Sequence, residues 1–289
     1  MTTATQRQWT GRTDGLPWMH HTLIRILRYV NIRIVYAIMD IVIVFYMIFS
    51  HSYYISVYHY FRRRHNKSVL PSVWHTYLTF RQFGQVVIDR FAVYAGRHFE
   101  FEIEGNEAVE EAMRNGNGCI MLSSHVGNYE MAGYFLKPTR RMYALLFGGE
   151  KATILANRKR MFESNGISII TRTDDWSYLY QINDALTAGN MLTLMADRNF
   201  GSEKTVTCDV LGTPAELPLG PFALAGLYKQ ASVITVFVMK DSVHKYHIYV
   251  KQIHAASKNE YAKLFAAELT DIVSRYPHQW YNFFEFWNS

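Results

Sequence analysis

The stretch CIMLSSHVGNYE, residues 119–130, decides how the chain is read. Its first five residues, Cys119 to Ser123, form an apolar run preceded by the breaker NGNG and read as a buried strand. His125 follows at the strand's C-terminal end, where open α/β sheets place their ligands. Gly127 permits a tight turn, and Asn128 is a preferred N-cap. A helix starting at about Asn128 would carry Glu130 in its first turn, so the chain would reverse and bring the carboxylate to one ring nitrogen of His125.

Strands and helices alternate on both sides of this unit. FEFEIEG (99–105) alternates as a strand does, and residues 106–115 form a short polar helix. RMYALLF, ISII and NMLTLMAD read as strands, with helices predicted over 150–166 and 175–189. A strand-like TVTCDVLG leads into a helix at PLGPFALAGLYKQ, with Pro218 and Pro221 at its start. Strands SVITVFVM and HKYHIYVKQI come next, then a helix from Lys258 to Arg275 and an aromatic tail, YPHQWYNFFEFW. The pattern predicts an α/β fold, with a mixed, mostly parallel sheet flanked by helices.

The first 66 residues differ in character. Residues 1–20 are polar and lack the apolar core and cleavage site of a secretory signal. Ile34–Phe49 is apolar except for Asp40, and as a helix it rises about 24 Å, short of the roughly 30 Å hydrocarbon core. Arg25, Arg28 and Arg33 precede it; Arg62, Arg63, Arg64 and Lys67 follow. Two readings fit, a buried core helix and a helix attached to an anionic leaflet. Asp40 is costly against lipid in either case and belongs against protein. Residues 1–66 are therefore read as an N-terminal helical, membrane-associating appendage, and 67–289 as the α/β domain.

A net charge of +6 over 289 residues favours acidic partners, whether anionic lipid, an acidic carrier protein or nucleic acid. No RNP-type motif, zinc-finger spacing or basic repeat supports nucleic acid. Cys119 and Cys208 are too few for a disulfide framework or a zinc site, and no metal or bound cofactor is implied.

A bare His-x4-acid pattern is weak, since chance alone supplies about one match in a chain with this many histidines and acids. Its setting between strand and helix gives it weight. A neutral imidazole there can take the proton of an attacking alcohol while a carboxylate fixes its tautomer, the chemistry of acyl transfer to a hydroxyl. Helix N-terminal amides or a nearby arginine suit the developing oxyanion. No G-x-S-x-G elbow occurs, and Ser123 and Ser124 lie on the wrong side of the histidine for one, so direct attack by the acceptor is favoured over an acyl-enzyme. Cys119, inside the strand, reads as core. A structural histidine that makes no chemistry is the competing reading.

SSHVGNYEMAGYFL resembles the first block of the lysophospholipid acyltransferase superfamily, most closely the branch of bacterial lipid A late acyltransferases, with its His-x-Gly-Asn-aromatic-Glu motif. MADRNFG (195–201), LPLGPFALAGLYKQASVITVFV and RYPHQWYNFFEFW resemble three further blocks in the same order, so the likeness spans about Phe99 to Trp287. The resemblance implies His125 as base and Glu130 as its partner. It puts Gly127 and Asn128 in the turn, Asp197 and Arg198 at the pocket, and makes Arg158 a candidate substrate contact. It also implies an acyl-carrier-protein or acyl-CoA donor, a lipid or glycolipid acceptor, and a place on the cytoplasmic face of a bacterial inner membrane. Two departures bear on the acceptor. There is no Glu-Gly-Thr block for a glycerophosphate, and the tail is not the basic segment typical of lipid A enzymes. Aryl-polyene, mannosyl or amino-acid lipids are alternative acceptors, and a non-catalytic lipid-binding protein is the alternative from another class.

Overall fold

Strand β2 (Cys119–Ser123) is buried at all five positions, so it needs a neighbour on each edge and cover on each face. The computed structural model, which describes residues 17–132, 140–147, 162–163, 166–172, 175–199 and 204–287, supplies both. The other strands are β1 (Glu100–Glu104), β3 (Met142–Phe147), β4 (Ile167–Arg172), β5 (Met191–Met195), β6 (Thr205–Val210), β7 (Thr213–Pro218), β8 (Ser232–Lys240) and β9 (Lys245–Gln252). Seven of them form one sheet in the order β1-β9-β8-β2-β5-β3-β4. Every pairing in it is parallel except β8 with β9. The fold is thus the mixed, mostly parallel α/β sheet that the alternating pattern predicts.

The α-helices described over their length are α1 (Pro17–Tyr29), α2 (Ile32–Phe49), α3 (His51–Arg63), α4 (Val69–Tyr94), α5 (Asn106–Arg114), α6 (Tyr178–Thr187), α7 (Leu219–Leu227) and α8 (Lys258–Arg275). Because strand side chains alternate in direction, the central strands feed two separate cores. Ile120, Leu122, Leu192, Leu194, Val233 and Phe237 face one core with Ile182 of α6, Phe222 of α7 and Phe265 and Leu269 of α8. Cys119, Met121, Met191, Ile234, Val236 and Val238 face the other, with Ile88 and Ala92 of α4 and Val109 and Ala112 of α5.

Helices α1 to α3 share in both cores. Leu27, Ile32 and Tyr36 enter the second, and Val57, Tyr60 and Phe61 the first. On the outer side of α2, Ile34, Ile38, Ile41, Val42, Phe45, Ile48 and Phe49 are exposed, and only 22% of this apolar 18-residue helix is buried. Asp40 turns inward, accepting from Arg81 Nε of α4 at 3.0 and 3.1 Å. The one acid in the apolar run is therefore met by protein.

One sequence expectation is corrected here, and another is described only at its start. TVTCDVLG does not lead directly into a helix: TPAELP (213–218) returns as β7, antiparallel to β6, and α7 starts only at Leu219. Its two prolines and glutamate disguise it as a loop, yet β7 has only one strand partner and tolerates them. The helix expected from Asn128 is, over the described residues, a 3₁₀ turn at Tyr129–Met131 that continues into Ala132. The helix predicted over 150–166 lies almost wholly outside the described residues.

A buried polar cluster ties the helices to the sheet. Asp89 of α4 accepts from Lys240 Nζ at 2.6 Å and from the hydroxyls of Tyr36 and Tyr246. Burial pushes the Asp89 carboxyl up, and these three donors counter it. Removing one member of a buried pair leaves the other charge uncompensated, at a cost of about 3–5 kcal/mol. Lys240→Met should lose about that much in urea unfolding of the detergent-solubilised protein. Restoring balance with Asp89→Asn in the same chain should recover part of the loss; strict additivity of the two would show that the pair is not coupled.

Candidate functional site

The site is set by strand register. In the parallel pair β2–β5, Ser123 is opposite Met195. Two residues further along each strand come His125 and Asp197, at the same C-terminal edge of the sheet and on strands about 4.8 Å apart. The histidine ring closes on that carboxylate, with Nδ1 2.8 Å from Asp197 Oδ1. The backbone N–H of His125 donates to the second oxygen, Oδ2, at 2.9 Å. Asp197 is fully buried, whereas the His125 side chain keeps 18% of its surface exposed. Burial pushes the Asp197 carboxyl up, but the His125 ring, the Arg198 guanidinium and the His125 N–H outweigh it and hold the group below the usual carboxylate range.

The turn after His125 is held on both flanks. Tyr281 N donates to His125 O at 3.2 Å, Gly127 N to Gln279 O at 2.7 Å, and Asn128 N to Val238 O at 2.7 Å. Gly127 has φ +59, and a Cβ there would lie 2.0 Å from the Val238 carbonyl oxygen. Only glycine fits between the turn and β8. Gln279 is itself clamped by its amide to the end of β8, accepting from Lys240 N at 2.8 Å and donating to Lys240 O at 2.7 Å. The aromatic tail thus acts as a strap across the histidine turn, with Trp280 paired to Val126.

Several expected roles are redistributed. The carboxylate on the His125 ring is Asp197, and Glu130 is placed on the other side of the turn, where its Oε1 accepts from Arg90 Nη1 of α4 at 2.6 Å. The 3₁₀ geometry at Tyr129–Met131 sets the glutamate against α4. Asn128 stands at the N-cap position but makes no side-chain cap; its amide donates to Tyr246 Oη at 3.2 Å. Arg198 donates to the Tyr281 carbonyl at 2.8 Å and so fastens the strap. The ring of Tyr129 meets that of His125 edge-on at 5.4 Å between centroids. Arg158 lies outside the described residues.

Burial pushes the Cys119 thiol up to about 12, which makes it core and not a nucleophile. Ser123 Oγ donates to Val236 O at 2.9 Å and is likewise committed.

With this geometry in hand, the comparison with known families is decisive. Residues 78–289, well over half of the chain, match the bacterial lipid A biosynthesis acyltransferase family. The chain belongs to that family. A search of curated proteins finds no match. The lipid A acyltransferase match takes in His125, Glu130, Asp197, Arg198 and the strap, and begins inside α4, so α1 to α3 precede it. Family membership makes the protein a lipid acyltransferase in general terms, taking an acyl donor and a lipid acceptor. The family is membrane-associated, and the apolar α2 agrees with this.

Arg90 and Tyr246 were not singled out from the sequence, whereas Gln279 is the glutamine of the closing Pro-x-Gln-aromatic block in RYPHQWYNFFEFW. Asp89-Arg90 had a visible signal, two adjacent charges inside the otherwise apolar VVIDRFAVY. Tyr246 had none, because its role comes from pairings across the fold.

The glycine constraint generates a test. Gly127→Ala should destabilise the protein by several kcal/mol, on the order of a strained φ plus a backbone clash, and abolish turnover. Thermal unfolding within about 2 °C of the parent would show that the turn can relax.

Proposed function

We propose that this protein moves a fatty acyl chain from a thioester donor to a hydroxyl of a lipid or glycolipid at the membrane surface, with His125 as the general base. The observation that carries the reading is the His125 ring, anchored at Nδ1, partly exposed, and set at the C-terminal edge of β2 in a lipid acyltransferase fold. With Nδ1–H donating to a carboxylate, Nε2 is left with a lone pair. The acceptor hydroxyl gives its proton to Nε2 as its oxygen attacks the thioester carbonyl. The tetrahedral intermediate then collapses with cleavage of the C–S bond, and the imidazolium returns the proton to the departing thiolate.

An acyl-carrier protein suits a chain of net charge +6 better than a CoA thioester, because an acidic carrier is steered by the whole field. Aryl-polyene-type, mannosyl or amino-acid lipids are alternative acceptors within the same chemistry. Attachment is assigned to the outer face of α2 on the cytosolic leaflet of an inner membrane, with residues 1–66 as the attaching segment and 67–289 as the catalytic domain.

Turnover with acyl-carrier-protein and acyl-CoA donors, compared for parent and His125→Ala, tests the mechanism. The variant should lose about 10²- to 10⁴-fold, the usual worth of a general base, while far-UV dichroism and vesicle binding stay at parent level. Near-parental turnover in a folded His125→Ala protein would sink the proposal.

The attachment has its own test. Ile38, Val42 and Phe45 are each more than half exposed, so charges there do not disturb packing. The triple change to Glu should release the protein from phosphatidylglycerol-containing vesicles on sedimentation without lowering its unfolding temperature. Retention on the vesicles would remove α2 as the anchor.

A further inference from the structure

We propose that the cleft between α3 and the C-terminal tail binds the headgroup of an anionic phospholipid, a phosphodiester that also carries free hydroxyls. His125, Asp197 and Arg198 are not among its lining residues, so this site is separate from the one built around the histidine. The proposal goes beyond the acyl-transfer reading and takes from it only the attachment of α2 to a membrane.

The cleft measures about 410 Å³, part of it open solvent, and aromatic rings form much of its wall. Trp280 meets both Trp287 and Tyr60 edge-on, at 5.4 Å between centroids in each case. Set among these rings are four polar atoms with no hydrogen-bond partner among the described residues: Tyr60 Oη, Trp280 Nε1 and both amide atoms of Asn282. Tyr60, Trp280 and Asn282 are only 8%, 2% and 8% exposed, so solvent does not satisfy these atoms either. A buried polar group left unpaired carries its full desolvation cost, and native proteins seldom gather several in one place. Burial pushes the Tyr60 hydroxyl up, so it stays neutral and able to donate. With the indole N–H, the amide NH₂ and the amide carbonyl, it complements a ligand with several oxygens and at least one hydroxyl.

The rim supplies positive charge. Arg63 is the last residue of α3 and Arg64 its C-cap. The Arg64 guanidinium lies 4.5 Å over the Trp287 ring, with Nη1 donating to Thr213 Oγ1 at 2.7 Å and Nε without a partner. Glu285, the one acid lining the cleft, sits 2.6 Å from His59 Nδ1 and 3.9 Å from Arg63 Nη1. The Arg63 and Glu285 side chains are both 49% exposed, and an exposed pair holds weakly, so a phosphate can take the place of the carboxylate on Arg63. Exposed Arg62 and Lys67 add to the attraction for an anionic leaflet. Only Ser50 separates α3 from α2, so the cleft lies on the helix next to the proposed membrane face. A zwitterionic headgroup would bring a cation to Arg63 and Arg64, and a bare anion would leave the Asn282 carbonyl unpaired. A phosphodiester with glycerol hydroxyls meets both demands. Trp280 and Asn282 flank Tyr281, whose N–H holds His125 O, so the bound headgroup braces the strap over the histidine turn.

The test uses the full chain in a neutral polyoxyethylene detergent with no acyl donor, so neither turnover nor bilayer attachment enters the readout. Indole fluorescence follows titration with short-chain phosphatidylglycerol, short-chain phosphatidylcholine, glycerophosphoglycerol and inorganic phosphate. Phosphatidylglycerol should saturate the parent, with phosphatidylcholine weaker by about tenfold or more. Glycerophosphoglycerol should bind more weakly than the lipid, and inorganic phosphate should not compete. Arg63→Gln should weaken phosphatidylglycerol by about tenfold and Tyr60→Phe by about fivefold. Tyr60→Phe removes an unpaired hydroxyl and keeps the ring, so without lipid it should unfold at the parental temperature or above. Equal binding of the two lipids would overturn the proposal, as would unchanged phosphatidylglycerol binding in either variant; Tyr60→Phe decides alone if Arg63→Gln does not fold. Glycerophosphoglycerol binding as tightly as the lipid would make the ligand a soluble phosphodiester, and competition by inorganic phosphate would make this a plain anion site. Either result removes the phospholipid, and a lowered unfolding temperature in Tyr60→Phe removes the site. Failure here leaves the acyl-transfer reading standing, since His125→Ala tests that by turnover.

Discussion

The structure depends on a short turn whose backbone has no freedom left. From His125 to Asn128 the chain crosses the end of the sheet with its polar groups engaged by β5, β8 and the C-terminal strap in succession. A turn satisfied only by water would sample many conformations, because each bond exchanged with solvent is worth little. Pinned to three separate elements, it moves only if they move. The positive φ of Gly127 and its contact with β8 follow from that closeness. A base catalyst needs its proton acceptor held to within a fraction of an ångström, and fixing the main chain on both sides of the ring is the most direct way to achieve it.

Helix α4 joins this turn to the outer helices. It carries Arg81, which meets Asp40 of α2, and further on Asp89 and Arg90. Asp89 gathers Tyr36 from α2, Lys240 from β8 and Tyr246 from β9; Arg90 gathers Glu130 from the turn. Charges of this kind are expensive in an apolar interior, and an all-hydrophobic contact would be at least as stable. What charged pairs add is a single geometry, because a slip of one helical position would bury an unpaired ion. The same helix therefore sets the angle of the apolar α2 face and the seat of the histidine turn.

Much of this was legible in the chain. The alternation of apolar segments gave an α/β sheet, and the helix expected from Lys258 to Arg275 is α8 to the residue. Such elements are legible because their signal is local: a Ser-x-x-Glu start at Ser257 and Glu260, then a regular apolar spacing. β7 was not legible, since TPAELP lacks β-branched alternation and gains its conformation from β6 alone. The role of Asn128 was misjudged for a related reason. Its amide can cap a helix start, but a buried tyrosine hydroxyl from β9 stands closer to hand. Local preference yielded to a tertiary partner.

The site shows the same division. His125 and Glu130 are five residues apart, and sequence proximity made them look like partners. His125 and Asp197 are 72 apart, yet a parallel sheet makes them neighbours. Once β2 and β5 are paired with Ser123 opposite Met195, both residues must emerge side by side at the same edge. A short-range motif can report only what a turn brings together; a sheet edge brings together whatever the register dictates. In an open parallel sheet all strand ends point one way, so the residues just beyond them form one row facing one cleft. The histidine of the motif and the aspartate of a distant block belong to one site because the sheet counts residues from the same edge on both strands.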